Sequence, residues 1–441
     1  MKKLFNQSGV IHTLPLLVII AAVGIISFLL ISSTLPLNGL FGRLNPKPAS
    51  HAAGGSWINV TSNLANMPSE CGNLTMLSAI PGSDTIIAGI ARQGLWASNN
   101  SGTSWSNLGT GAGFAVITNR PSWISYDPLN SAIFWESGIY NGGGVYKTTN
   151  GGNTFQQLGN IGHIDFVSVD FTDPNRQTLL AGGHEQSQKV YKSTDGGQTW
   201  TNIGVNLPAG TGFSTSPLVI NSQTYVVNTD RSWGGGSPGI YRTINGGTSW
   251  TKVSSFGPSG PPLLASNGTI YWSVGNSLVK STDSGLTWTQ VGSGLQNVHP
   301  IELADGKLVS VGGSTLMISA DGGVSWSPIG PTLPYNPPGV IYSLSRKAFF
   351  IWNWNCGGFV LPDAVMKFDF DFGSTTPTPT PSSCPKGPLG DINCDGKIDI
   401  FDYNILVTNF GQSGSGIPGD LNNNGKVDIF DYNIIVTNFG K

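Results

Sequence analysis

Apolar and polar residues alternate in short runs along most of this chain, and the runs come in pairs around tight turns. In "KVYKSTDGGQTWTNI" (Lys189 to Ile203) and "SLVKSTDSGLTWTQV" (Ser277 to Val291) the alternation holds on both sides of a Gly-containing turn. A period of two predicts half-buried strands, and the turn predicts that they pair as hairpins. One template covers six such turns: "SNNSGTSW" from Ser98, "TTNGGNTF" from Thr148, "STDGGQTW" from Ser193, "TINGGTSW" from Thr243, "STDSGLTW" from Ser281 and "SADGGVSW" from Ser319. Successive starts lie 38 to 50 residues apart, the size of one four-stranded propeller blade. In each box the Asp or Asn is placed to accept from turn amides, Gly supplies positive φ, and the aromatic residue enters the next strand as a packing wedge.

The pattern is incomplete at both edges of this region. "GGSWINVTSNL" from Gly54 matches the second half of a box hairpin, as in "GGQTWTNIGVNL" from Gly196, but lacks its first half. "YSLSRKAFFIWNWN" and "AVMKFDFDF" near the other edge supply strands without a box. Letting the Trp57 strand complete the last blade hides the open sheet edges. The expected fold is therefore mainly β, a seven-bladed propeller over residues 55–373, with a six-bladed ring as the alternative. Four cysteines allow three pairings. Ring closure brings Cys71 of the first blade near Cys356 of the last, which leaves Cys384 with Cys394.

Composition agrees with that architecture. Only 10% of the residues are charged, while Gly numbers 61 and Trp 13, which favours short strands and turns over long helices. A formal net charge of -2, with no basic block beyond the N-terminus, argues against a nucleic-acid partner. The N-terminal part has a different character. Thr13 to Gly42 carries no charge, and Leu14 to Leu37 is long enough to span a bilayer. Lys2 and Lys3 precede it, so residues 1–13 are placed in the cytoplasm, 14–37 as a transmembrane signal anchor, 38–54 as a linker, and the rest outside the cell. Secretion after cleavage at "ASHA" (Ala49 to Ala52) is the alternative.

"TTPTPTPSS" (Thr375 to Ser383) reads as an extended linker over residues 374–383, separating the propeller from a small unit over 384–441. Asp391, Asn393, Asp395, Asp399 and Asp402 stand at positions 1, 3, 5, 9 and 12 of a calcium loop, with the Lys397 carbonyl at position 7. Asp420, Asn422, Asn424, Asp428, Asp431 and the Lys426 carbonyl repeat the arrangement. An all-oxygen set at this spacing selects a hard cation, so two Ca2+ ions are expected, the second more weakly held because Asn424 replaces an Asp. Each loop runs into an apolar helix that ends in Gly, and no helix of useful length precedes the first loop.

These features carry two resemblances. The six boxes resemble the Asp-box of sialidase-like and sortilin-like propellers, and the duplicated loop-helix unit resembles a type I dockerin, a module that docks on cohesin domains. The second resemblance implies a cohesin-like protein partner, met by Ile400, Phe401, Ile429 and Phe430 at positions 10 and 11 of the loops; a core role for these four residues is the competing reading. The first implies sugar chemistry. Sialidases hold a substrate carboxylate with three arginines, yet no triad stands out among Arg92, Arg120, Arg231 and Arg346, and the expected Phe-Arg-Ile-Pro-like start is absent. Carboxylates not absorbed by turns are Glu136, Asp165, Asp170, Glu185, Asp230 and Glu302, with His163 beside Asp165 in "GHIDF". No catalytic residue can be selected from them. Tryptophans outside the boxes, Trp233 above all, are candidates for sugar stacking on a rim. The expected function is an exported head that binds a glycan or protein ligand, tethered through its dockerin, plausibly in polysaccharide binding or breakdown; a glycoside hydrolase acting through the propeller is the alternative.

Overall fold

The computed structural model describes residues 55–112, 115–230, 235–372, 389–393, 396–414, 417–422 and 424–440. The 14–37 span, Cys384, Cys394, Asp395 and Trp233 lie outside them. No helix among the described residues is long and apolar enough to cross a membrane.

Seven four-stranded antiparallel sheets make up the propeller. Blades 1 to 6 take residues 74–107, 120–157, 164–202, 217–254, 263–291 and 301–329 in chain order. Blade 7 combines Val340–Ser343, Ala348–Trp352 and Val365–Asp369 with Ile58–Asn59 from the other end of the region. Ile58 pairs with Lys367 and Asn59 with Met366, which is the closure that the half-box at Trp57 predicted. The second strands Ile86–Ile90, Leu179–Gly183, Tyr225–Thr229, Leu308–Gly312 and Ala348–Trp352 are buried at every position. Each is covered on both faces by neighbouring blades, so the core is a ring of inter-blade layers.

The boxes fasten these layers. Ser193 Oγ donates to Asp195 Oδ1 (2.7 Å) and accepts from Gly197 N (2.8 Å), while Asp195 Oδ1 accepts from Thr199 N (2.9 Å). The same bonds recur about Asn100, Asn150, Asn245, Asp283 and Asp321. The second glycine is required by proximity as well as by its φ of 94°: a Cβ on Gly197 would stand 2.7 Å from Leu158 Cδ1 in the preceding blade. Box tryptophans then reach across. Trp200 Nε1 donates to Leu158 O (3.1 Å), Trp250 Nε1 to Ile203 O (3.3 Å) and Trp105 Nε1 to Val60 O (3.1 Å), the last spanning the ring closure. Trp288 and Trp326 bond within their own turns instead.

A buried ion pair links blades 2 and 3 on the box side. Arg176 donates through Nε to Asp127 Oδ2 (2.8 Å) and through Nη2 to Asp127 Oδ1 (3.1 Å), holding the Asp127 carboxyl below its ordinary range. The two side chains form a bidentate inter-blade clasp.

Cys71 and Cys356 form a disulfide across the seam between blades 1 and 7, 285 residues apart in sequence. Replacing both with Ser should lower the unfolding free energy by about 2–5 kcal/mol, read from the denaturant midpoint together with the slope, which should rise as the unfolded chain loses its cross-link.

Candidate functional site

Consecutive strands alternate in direction, so the boxes and the turns after first strands share one face of the ring. The links between blades and the turns after second strands share the other, here the far face. The far-face ends of blades 2 to 5 enclose a cavity of about 580 Å³ lined by Trp123, Asp165, Phe166, His184, Glu185, Phe213, Asp230 and Pro261, among others. Trp123 also borders a second, more apolar cavity that continues along the channel past Met76, Leu303 and Val340.

Two sets of side-chain contacts run along the far face. His184 Nδ1 lies 2.8 Å from Asp165 Oδ1, and its Nε2 lies 2.9 Å from the Tyr140 hydroxyl. A carboxylate only accepts, so Nδ1 carries the proton and Nε2 accepts from Tyr140. Glu185 Oε1 stands 3.6 Å from the same Nε2. Tyr140 packs edge-on against both His184 and His163, at 5.1 and 5.5 Å between ring centres. Burial first, and the Glu185 carboxylate next, push the Tyr140 phenol above its ordinary range, with Arg120 opposing. Next to Tyr140, Asn141 Nδ2 donates to Glu70 Oε1 (2.9 Å), and Glu70 pairs with Arg92 at 3.2 Å. Arg120 lies opposite Ile139 across the strand pair, with its guanidinium against Gly72 and 5.9 Å from the centre of the Trp354 ring. Trp354 and Phe359 are 48% and 76% exposed, on the loop that carries Cys356.

Local backbone explains how these groups converge. The first strand of blade 3 bulges between Ile164 and Phe166, which isolates Asp165 from the ladder and turns it toward His184. Blades 1 and 2 bulge at the equivalent Thr75 and Ser122. There the bulged hydroxyls donate to carbonyls of the next blade, Pro121 O at 2.5 Å and Ile164 O at 2.9 Å. Blade 3 has exchanged a fastening hydroxyl for a carboxylate. Arg92, Tyr140, Asn141, His163 and Glu185 all take left-handed φ, between 45° and 67°. Non-glycine residues rarely adopt that conformation, and such strain concentrates where a site is held in place.

The sequence placed His163 with Asp165; the partner is His184, which the strand pair Ile164–Gly183 brings alongside, while His163 only packs on Tyr140. Of the other candidate carboxylates, Asp230 lines the same cavity and accepts from Phe213 N (3.1 Å), and the remaining three lie elsewhere. Asp170 is buried and caps Thr172, and Glu302 accepts from Ser266. Glu136 is fully buried between blades 1 and 2; its Oε2 accepts from Asn119 Nδ2 (3.4 Å) and its Oε1 has no hydrogen-bond partner among the described residues. Burial pushes that carboxyl up to about 8. Of the non-box tryptophans, Trp135 and Trp272 are buried packing residues.

In the C-terminal unit, helices α1 (Ile400–Asn409) and α2 (Ile429–Asn438) enclose a core of Ile398, Leu406, Leu421, Val427 and Ile435. Asp420 accepts from Asn424 N and Gly425 N, Asn422 from Asn424 N, and Asn424 from Lys426 N, at 2.8–3.0 Å. Asp391 accepts likewise from Gly396 N (2.9 Å). Asp402 and Asp431, both fully buried, accept from Asp399 N and Asp428 N and complete capping boxes with those residues. Lys397 lies among the described loop residues. Asp402 and Asp431 each accept three backbone amides, and among the described residues no group of three or more His, Cys, Asp or Glu side chains is placed to hold a metal ion. Ile400, Phe401, Ile429 and Phe430 are all more than half exposed, so they form a surface and the core reading is set aside.

No protein-family model matches the chain, and no curated protein matches it either. Among solved structures it is similar to the GH74 enzyme of Niastella koreensis, at TM-score 0.47 and 16% identity, covering 70% of this chain and 54% of that one. It is also similar to the GH74 xyloglucanase of Xanthomonas campestris (TM-score 0.46, 17% identity, 71% and 55% covered). YCF48 of Cyanidioschyzon merolae gives TM-score 0.47 at 16% identity, covering 71% of this chain and 98% of that one. The chain thus spans about half the length of the two GH74 enzymes, and likeness at this distance carries nothing about activity.

Glu136 makes a pH test possible. From its ordinary 4.5 up to about 8 the folded state holds a proton that the unfolded state releases, so stability should fall as pH rises through that window. Glu136→Gln should flatten the slope and stabilise the protein at pH 8 by on the order of a few kcal/mol, measured by denaturation at several pH values.

Proposed function

We propose that this chain is an exported glycan-binding protein whose propeller presents the far-face pocket to a saccharide, and whose C-terminal unit is a dockerin folded around two calcium ions. The observation that carries the reading is the far-face run from Glu70 through Asn141 and Tyr140 to His184, Asp165 and Glu185, with Arg120 and Trp354 stacked as a separate pair on the same face. Sugars offer hydroxyls that carboxylates, phenol and imidazole can bond, and apolar ring faces that an exposed indole can cover. The six turn boxes are read as Asp-boxes, structural in role. On this reading the 14–37 segment anchors the protein in the membrane with its bulk outside the cell.

The dockerin reading rests on duplication. Both loops keep their amide-bonded side-chain oxygens, and both helices begin with the same exposed Ile-Phe pair, a surface fit for a cohesin-like domain. Asp391, Asn393, Asp395, Lys397, Asp399 and Asp402 would hold one ion, with Asp420, Asn422, Asn424, Lys426, Asp428 and Asp431 holding the other. A glycoside hydrolase is the rival, and the carboxylates Asp165 and Glu185 beside one imidazole are what favours it.

A polysaccharide screen with the full chain, scored for binding and for cleavage, tests the pocket. Binding should occur, and Trp354→Ala should weaken it roughly tenfold, about 1.4 kcal/mol; an array without a single ligand refutes the glycan reading. For the small unit, calcium should raise the helix content and melting temperature of residues 384–441. Phe401→Ser with Phe430→Ser should abolish capture of a cohesin domain without loss of calcium-induced folding, followed by circular dichroism and pull-down.

A further inference from the structure

Most enzymes break glycosidic bonds with water, two carboxyl groups handling the protons, and others break them by elimination. Asp165 and Glu185 face the His184 ring, Asp230 accepts from Phe213 N, and Glu136, whose carboxyl burial pushes up, is sealed between blades. What the far face does present is a phenol on an imidazole on a carboxylate, beside a guanidinium. Arg120 makes no hydrogen bond or ion pair among the described residues; its contacts are the Trp354 ring and the backbone at Gly72. A cation left without a partner next to an acid-base pair suits a substrate that brings its own anion close to the reacting atoms.

We propose that this site cleaves uronate-containing polysaccharides by β-elimination, with Arg120 on the sugar carboxylate and Tyr140 passing the proton. The inference rests on the glycan reading of the same site and adds the substrate class and the reaction. Arg120 neutralises the C6 carboxylate, which makes the adjacent C5–H bond more acidic. Tyr140 gives its hydroxyl proton to His184 Nε2, along the 2.9 Å contact, and its oxygen removes H5. The electron pair from C5–H forms the C4=C5 double bond as the C4–O bond breaks. The departing oxygen takes the proton from Tyr140, and His184 returns its own. The products are a chain ending in a 4,5-unsaturated uronate and a chain ending in a free hydroxyl, with no water, oxidant or metal consumed. Asp165 holds the imidazole by Nδ1, and Glu185 faces the transient imidazolium. Trp354 supports a neighbouring ring.

The test uses the full chain with polygalacturonate, alginate and hyaluronan, following the ultraviolet absorbance of the conjugated double bond. At least one polyuronate should give that absorbance. Tyr140→Phe, which keeps the ring contacts to both histidines, should lower kcat by roughly 10²–10⁴-fold at little change in KM. Arg120→Gln should raise KM and lower kcat/KM, and added imidazole should restore part of the rate lost in His184→Gly. New reducing ends without the absorbance would mean hydrolysis and overturn the proposal. So would polyuronates that bind but are not cleaved, or a Tyr140→Phe protein of full activity; in both cases the glycan reading stands. If no saccharide binds or is cleaved, both readings fall.

Discussion

A sheet with two apolar faces and only four short strands cannot bury itself, and every other feature of this protein follows from that constraint. Each blade needs a neighbour on both sides, so the sheets must close into a ring or leave a face in water. Closure is made by the strand at Ile58, which is the outer edge of blade 7, and by the Trp105 indole that reaches back to Val60. The boxes solve the same problem locally. Their Ser or Thr, Asp or Asn, and Gly residues fold a turn tightly enough to lie against the preceding blade.

With the ring rigid, strain can be stored on one face. Five non-glycine residues in left-handed conformation surround the far-face site, a cost the inter-blade layers can bear. The bulge at Asp165 shows how such a site arises without a change of fold. Thr75 and Ser122 use the equivalent bulges to fasten blades together. In blade 3 the same geometry carries an acid, and the freed position points at His184 instead of the next blade.

The ring was readable in the sequence because its determinants are local and repeated. Ser193, Asp195, Gly197 and Trp200 act within eight residues of each other, and the half-box at Trp57 betrays the closing strand. The site was not readable, because its determinants are neither. Asp165 and His184 meet through strand register, and a bulge at Asp165 decides which way that side chain turns. Adjacency in sequence made His163 look like the partner, whereas its positive φ turns it onto Tyr140. Arg120 looked like one arginine among several until the strand pair with Ile139 set it beside Tyr140. In the C-terminal unit the reverse holds: ligand spacing is local and legible, whereas the exposure of the Ile-Phe pairs needed the packed helices.

One consequence of the closure concerns force. The chain enters and leaves the propeller through the same blade, on antiparallel neighbours paired at Ile58–Lys367 and Asn59–Met366. Tension between the two ends therefore peels these strands apart from their open ends, one pair at a time, which is the weak direction for a β ladder. Peeling stops at Cys71, where the disulfide hands the load directly to Cys356. Everything between those two residues, six blades and the far-face site apart from Glu70, is then out of the line of tension. Pulled by its two ends, the propeller would give up a strand and keep six blades folded.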